Sequence, residues 1–260
     1  MVGNGVSFIV RIRNEEATLE RSVRSLSGIT FPHEIVLILH LCTDGSAQIA
    51  DRLASENPNI RIMTYDMEIS RPGYEMLSTD ADSKHSLVTY YNWWIRQAKY
   101  TWVFKWDADF VASPELINFM NSLLWEQKNM NISIVAKNST TKNRENYLCG
   151  GPRVYTKHVF WEDSQFSPGA EFWHFTDEMC IHHESELKDL KAYWKEPAWY
   201  LTEDSDEARL VKSRMERLTA DFGPEPVGLA RASNPECDPI FKMIVSANNC
   251  KGPEYVKMFS

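Results

Sequence analysis

The hydrophobic positions along the chain alternate between two kinds of spacing. Residues 6–13 (VSFIVRIR) open with a short apolar run that predicts a first strand. Asn14, Glu15 and Glu16 then offer an N-cap and first-turn carboxylates to a helix with Leu19, Val23 and Leu26 on its inner face and Gly28 at its end. Residues 34–40 (EIVLILH) form a continuous apolar run of the kind buried on both faces of a parallel sheet. Asp44 stands where it would cap the following helix, Ile49 and Leu53 mark that helix's inner side, and residues 60–65 (IRIMTY) predict a third strand. Strands alternating with helices of this length predict an α/β fold with a mostly parallel central sheet.

The alternation breaks over residues 66–83, a polar, glycine-containing stretch read as a functional loop. Helical spacing returns over 84–99, and a short strand is expected at 101–104. Ser113, Pro114 and Glu115 predict the start of a helix reaching about residue 127, followed by a strand at 132–136. Beyond residue 145 the texture changes. Residues 146–155 read as strand and turn, while 160–183 are rich in aromatics, acids and histidines without a single period. Helices are expected over 184–198 and 203–220, the latter with Leu210, Val211, Met215 and Leu218 on one side and Arg209, Lys212, Arg214 and Arg217 on the other. The last 38 residues, with five prolines and three glycines, read as an irregular tail.

Composition narrows the function classes. Of 260 residues, 28 are Lys or Arg and 36 Asp or Glu, a net charge of −8 that argues against a general nucleic-acid partner, which needs a basic face. A small anionic ligand would require a cation or a few well-placed arginines. No apolar run approaches the roughly 18 residues that cross a bilayer, and residues 1–14 lack the arrangement of a secretory leader, so a cytoplasmic location is expected. The five cysteines are scattered, with no C-x-x-C pair, and indicate neither a disulfide framework nor a zinc ribbon. P-loop, esterase-elbow and zincin motifs are absent from the sequence.

The densest chemistry is Trp106-Asp107-Ala108-Asp109, placed where a buried strand should end. Ligands of open α/β sheets bind beyond the carboxyl ends of strands, and two hard oxygen donors this close suit Mg²⁺ or Mn²⁺. A solvated turn is the competing reading of an isolated D-x-D.

Over roughly residues 6–185 the chain resembles the family 2 glycosyltransferases of GT-A fold. The likeness rests on four segments in order. They are Ile9-Val10-Arg11-Ile12-Arg13-Asn14-Glu15-Glu16, then Glu34-Ile35-Val36-Leu37-Ile38 with Cys42-Thr43-Asp44-Gly45-Ser46, then Asn92 ahead of Asp107 and Asp109, and lastly Ser113-Pro114-Glu115-Leu116. The resemblance implies a GT-A domain over 1–200, with a nucleotide-sugar half (1–110) and an acceptor half (111–200), and a helical and irregular extension over 201–260. It implies sugar transfer, with inversion, from a nucleoside-diphosphate sugar to a hydroxyl of a glycan, glycolipid or glycoprotein. Mn²⁺ or Mg²⁺ would be held by Asp107 and Asp109. Arg11, Arg13, Glu15, Asp44, Asn92 and Asp107 become donor contacts.

The general base implied by the resemblance is a late carboxylate. Glu171 is the first choice and Asp163 the second, with Glu162, Asp177 and Glu178 in reserve. A third metal ligand would be His183 or, alternatively, His182. Trp161 or Trp173 would line the acceptor cleft. One departure is that Leu39 occupies the place where many members carry an aspartate that reads uracil, which puts a uridine donor in question. The basic side of helix 203–220 could touch an anionic membrane surface, or be a solvated face. Two rival readings are a sugar-phosphate nucleotidyltransferase and a catalytically inactive carbohydrate-binding scaffold on the same fold.

Overall fold

The computed structural model describes residues 3–71, 73–80, 82–122, 130–133, 135–138, 153–156, 171–173, 180–183 and 197–224. The chain divides into two compact units, one of residues 1–66, 94–160 and 167–189, the other of 67–93, 161–166 and 190–260.

The first unit is built on strands β1 (Gly3–Ile12), β2 (His33–His40), β3 (Ile60–Tyr65) and β4 (Tyr100–Asp107), with β5 (Phe110–Ala112), β6 (Met130–Ser133), β7 (Val135–Asn138), β8 (Arg153–Thr156), β9 (Glu171–Trp173) and β10 (Cys180–His183). Seven strands form a sheet in the order β3-β2-β1-β4-β8-β6-β9, and three form a second sheet, β5-β10-β7. The first four strands of the large sheet are mutually parallel, and β8 joins antiparallel to both β4 and β6. The single strand expected at 132–136 is thus two strands, one in each sheet.

Period two along the strands explains the core. Val6, Phe8, Val10 and Ile12 from β1, Ile35 and Leu37 from β2, and Trp102, Phe104 and Trp106 from β4 share one face. Helices α1 (Leu19–Arg24), α2 (Ser46–Glu56) and α5 (Pro114–Ser122) contribute Leu19, Val23, Ala50, Leu53, Leu116 and Met120 to the same cluster. Ile9, Val36, Ile38 and Val103, on the intervening positions, are also buried, so these strands are apolar on both faces. Ser113 accepts a bond from the Leu116 amide at 3.1 Å, the cap expected for α5.

The N-terminal ends of the strands are tied by one buried acid. Glu34 Oε1 accepts from Ser7 Oγ at 2.6 Å and from the Lys99 amide at 2.6 Å, and Oε2 accepts from Arg61 Nε at 2.8 Å. Burial opposes ionisation of Glu34, but Arg61, Ser7 and the Lys99 amide outweigh it and hold the carboxyl below its ordinary range. Gly5 sits where β1 passes the chain before β2; a Cβ there would lie 2.4 Å from the Pro32 carbonyl oxygen and 2.6 Å from Tyr100 Cδ1.

The second unit contains α3 (Tyr74–Ser78), the start of α4 (Leu87–Gln97), α6 (Trp199–Thr202) and α7 (Asp206–Phe222). Within the stretch 66–83, α3 is the one helix among the described residues. Ile69, Tyr74 and Met76 are buried. Trp199 stacks on His85 with centroids 3.8 Å apart and donates to Ser70 Oγ at 3.0 Å. Helix α7 is capped by Ser205, which accepts from the Ala208 amide at 3.1 Å, and it ends at Gly223 with φ of 87°. Its inner face is Ala208, Val211 and Leu218; Leu210, expected inside, is 44% exposed because it lies two residues, about 200°, around the helix from Ala208. On the basic side, Arg209 pairs with Asp204 and Asp206, and Arg214 donates to Ser78 O and Asp80. Among the described residues, no helix is long and apolar enough to cross a membrane.

Candidate active site

In the large sheet the chain moves outward from β1 to β2 and β3, then returns to place β4 on the other flank of β1. That reversal falls between β1 and β4, and the carboxyl ends of strands at such a reversal are the position where open α/β sheets bind ligands. The register sets Arg11 of β1 against Asp107 of β4. Arg11 Nη2 donates to Asp107 Oδ1, and Lys105 Nζ lies 3.3 Å from Asp107 Oδ2. Asp107 is the last residue of β4, and Ala108 and Asp109, both buried, form the turn into β5.

Helix α1 braces this turn from the core side. Trp106 Nε1 donates to Ser22 Oγ at 2.9 Å, and Ser22 Oγ in turn donates to the Asp107 carbonyl at 3.4 Å. Farther along, the Ala112 amide donates to Ser25 Oγ at 3.0 Å. Both arms of the D-x-D turn are therefore held by serines one helical turn apart.

Beyond β1, the loop at 13–18 is zipped to the loop after β2. Asn14, with φ of 56°, accepts from the Thr43 amide at 2.7 Å through Oδ1. The Glu15 amide donates to Ser46 Oγ at 2.7 Å, the Glu16 amide to Asp44 Oδ2 at 3.0 Å, and the Gly45 amide to Glu16 Oε2 at 2.7 Å. This explains why the first helix begins at Leu19 and not after Asn14: the Asn14 side chain serves the neighbouring loop, and a left-handed residue does not start a helix. Asp44 is one residue upstream of the cap position of α2, which is Gly45, yet its Oδ1 accepts from the Ser46 amide at 2.9 Å. Burial raises the Asp44 pKa, but bonds from Ser46 and the amides of Ser46 and Glu16 more than offset it, leaving the carboxyl below its ordinary value. Burial pushes the Cys42 thiol up, which makes it a poor nucleophile; it donates to the Ile12 carbonyl at 3.3 Å.

Arg11, Arg13, Glu15, Asp44, Asp107 and Asp109 all belong to the first unit, at the ends of β1, β2 and β4. Glu15 is buried and accepts from Thr18 Oγ1 at 3.2 Å, so Glu15 and Asp44 both hold the loops together from within. Leu39 pairs in register with Ile12 and packs against the core. Asn92 is half-buried on α4, in the second unit. His183 closes β10, whose antiparallel pairing with β5 sets it opposite Phe110, the residue after Asp109, with His182 opposite Val111. Glu171 opens β9, opposite Met130 of β6. Asp163 and Trp161 lie outside the described residues, as do the side chains of Glu171, Trp173 and His183. Among the described side chains, no three His, Cys, Asp or Glu come together as a metal-binding group.

Sequence reasoning missed Lys105, Ser22 and Ser25. Lys105 had left a trace, being a lysine inside an otherwise apolar run and two residues before Asp107, hence on the same face of β4.

No protein-family model and no curated protein matches the sequence. Solved structures match by fold. The 1–349 portion of S. aureus TarS, in complex with UDP-GlcNAc, superposes with a TM-score of 0.56 at 15% identity, over 96% of this chain and 82% of that one. The same portion of TarS with UDP gives 0.50 at 14% identity, over 98% and 88%. The longer S. aureus TarS chain gives 0.54 at 14% identity, over 93% of this chain and 49% of that one. The fold is the GT-A fold of glycosyltransferases.

Proposed function

We propose that this protein is an inverting glycosyltransferase that moves a sugar from a nucleoside-diphosphate sugar to an acceptor hydroxyl. The observation that carries the reading is the Asp107-Ala108-Asp109 turn at the reversal between β1 and β4, on a GT-A fold and beside Arg11. Asp107 and Asp109 fit a divalent cation by donor chemistry, being two carboxylates on alternate positions of a turn held by Ser22 and Ser25. A third ligand would be His183 or, alternatively, His182, both on β10 beside β5, the strand that follows Asp109. A bound Mn²⁺ or Mg²⁺ would supply neutralising charge to the departing diphosphate.

The chain's own groups do the rest. Arg11 and Arg13 stand at the end of β1, where they would orient the diphosphate and ribose. Glu171 accepts the proton of the acceptor hydroxyl as its oxygen bonds to the anomeric carbon and the bond to the diphosphate breaks on the opposite face. Asp163 is the alternative base. Asn92 is kept as a donor contact, and Glu15 and Asp44 act on the nucleotide by fixing the loops that border it. The acceptor is a glycan, glycolipid or glycoprotein hydroxyl, and the enzyme works in the cytoplasm. Leu39 argues against recognition of uracil by a carboxylate at that position.

The test is incubation with Mn²⁺ and a panel of nucleotide sugars, with release of nucleoside diphosphate as the readout. Release from one donor, lost in Asp109→Ala, is expected. Pyrophosphate release would replace the reading with nucleotidyl transfer, and silence across the panel, with no calorimetric binding, would leave a non-catalytic sugar-binding protein.

A further inference from the structure

Two cations on one carboxylate are unusual at a site meant to attract another. Arg11 holds Asp107 Oδ1 and Lys105 Nζ lies 3.3 Å from Oδ2, so two positive charges stand on the single negative charge of Asp107. Lys105 is only 8% exposed and sits within β4, so its ammonium cannot swing away into bulk water as a surface lysine would. A divalent ion arriving alone would meet a carboxylate already compensated on both oxygens and would still have to shed water.

We propose that Lys105 is a positioning residue that couples cation binding to the donor: its ammonium keeps Asp107 compensated until a diphosphate arrives. This rests on the glycosyltransferase reading. The incoming diphosphate carries at least two negative charges and gives Lys105 and Arg11 new anionic partners. Asp107 Oδ2 is thereby released toward the cation. Because the coupling is a free energy between two ligands, it is reciprocal: nucleotide tightens the cation and the cation tightens the nucleotide by the same factor. A D-x-D turn without such a lysine would bind the cation first, from its own charge alone.

The test is Mn²⁺ titration followed by the electron paramagnetic resonance signal of free Mn²⁺, with the metal alone and with saturating UDP or GDP. The wild type is expected to bind Mn²⁺ alone weakly and to gain at least about tenfold with nucleotide, the scale of one nearby charge in a partly screened site. Lys105→Met, close in volume and apolar, should bind Mn²⁺ alone at least about tenfold more tightly and lose most of the nucleotide effect. Lys105→Arg should restore the wild-type pattern, and a circular dichroism melt checks that each variant is folded. Equal Mn²⁺ affinity in the wild type and both variants, with binding intact, overturns the role of Lys105 while leaving the glycosyltransferase reading in place. Absence of Mn²⁺ binding in every arm overturns both.

Discussion

Replacing Glu34 by Gln tests whether the base of the sheet is held as described. The change keeps the side-chain shape. One oxygen can still accept from Ser7 Oγ and the Lys99 amide, but the new NH₂ faces Arg61 Nε, so a donor meets a donor where a charged bond of 2.8 Å stood. A hydrogen bond to a charged group contributes about 1.5–3 kcal/mol. Arg61 is 39% exposed, and water will partly re-solvate its guanidinium, so the lower half of that range applies, near 2 kcal/mol. For a chain of this size, that lowers the melting temperature by roughly 4–8 °C. Urea melts followed by far-ultraviolet circular dichroism at pH 7 measure it. The pH dependence supplies a second arm. Because the folded pKa of Glu34 is depressed below the ordinary 4.5, its ionised form contributes stability in full above that value, and the contribution drains away as pH falls through the folded pKa. Glu34→Gln lacks this titration, so the two proteins should converge below pH 4.5. A difference under about 0.5 kcal/mol at pH 7, or one that persists unchanged in acid, would refute the account.

Other perturbations reach other parts of the molecule. Gly5→Ala places a Cβ 2.4 Å from a backbone carbonyl oxygen and should destabilise the first unit by about 2–3 kcal/mol in a thermal melt. Ser205→Ala removes the α7 cap and should lower stability by about 1 kcal/mol, read by the same melt. Asp109→Asn should leave the melting curve near that of the wild type and reduce nucleoside-diphosphate release by at least about a hundredfold, measured with the donor identified from the panel. Glu171→Gln should keep donor binding by calorimetry while transfer falls about 10²–10⁴-fold; retained transfer would move the base to Asp163.

The first four strands were legible because burial on both faces forces continuous apolar runs such as residues 34–40. Asp107 and Asp109 were legible for the opposite reason, a pair of charges at the end of such a run. The pairing of Arg11 with Asp107 could not be read, since it depends on β4 returning to the flank of β1. The packing within 66–83 was not legible because partners of that stretch come from far along the chain: Trp199 donates to the buried Ser70, and Arg214 pairs with Asp80. Asn14 reads as a helix cap because its side-chain oxygen is equally suited to capping and to holding the Thr43 amide, and only the neighbouring loop decides between them.

The strand order has a consequence for synthesis of the chain. β1 is complete on one side as soon as β2 emerges, but its other side waits for β4, and roughly 35 residues separate the end of β3 from the start of β4. At about 5–20 residues per second, the nascent sheet shows an unpaired, apolar edge for several seconds. That edge is the flank on which Arg11 later meets Asp107, 96 positions away in sequence. Assembly of this end of the sheet and pairing of that apolar edge are therefore one event, and a ribosome pausing between residues 66 and 99 would delay both.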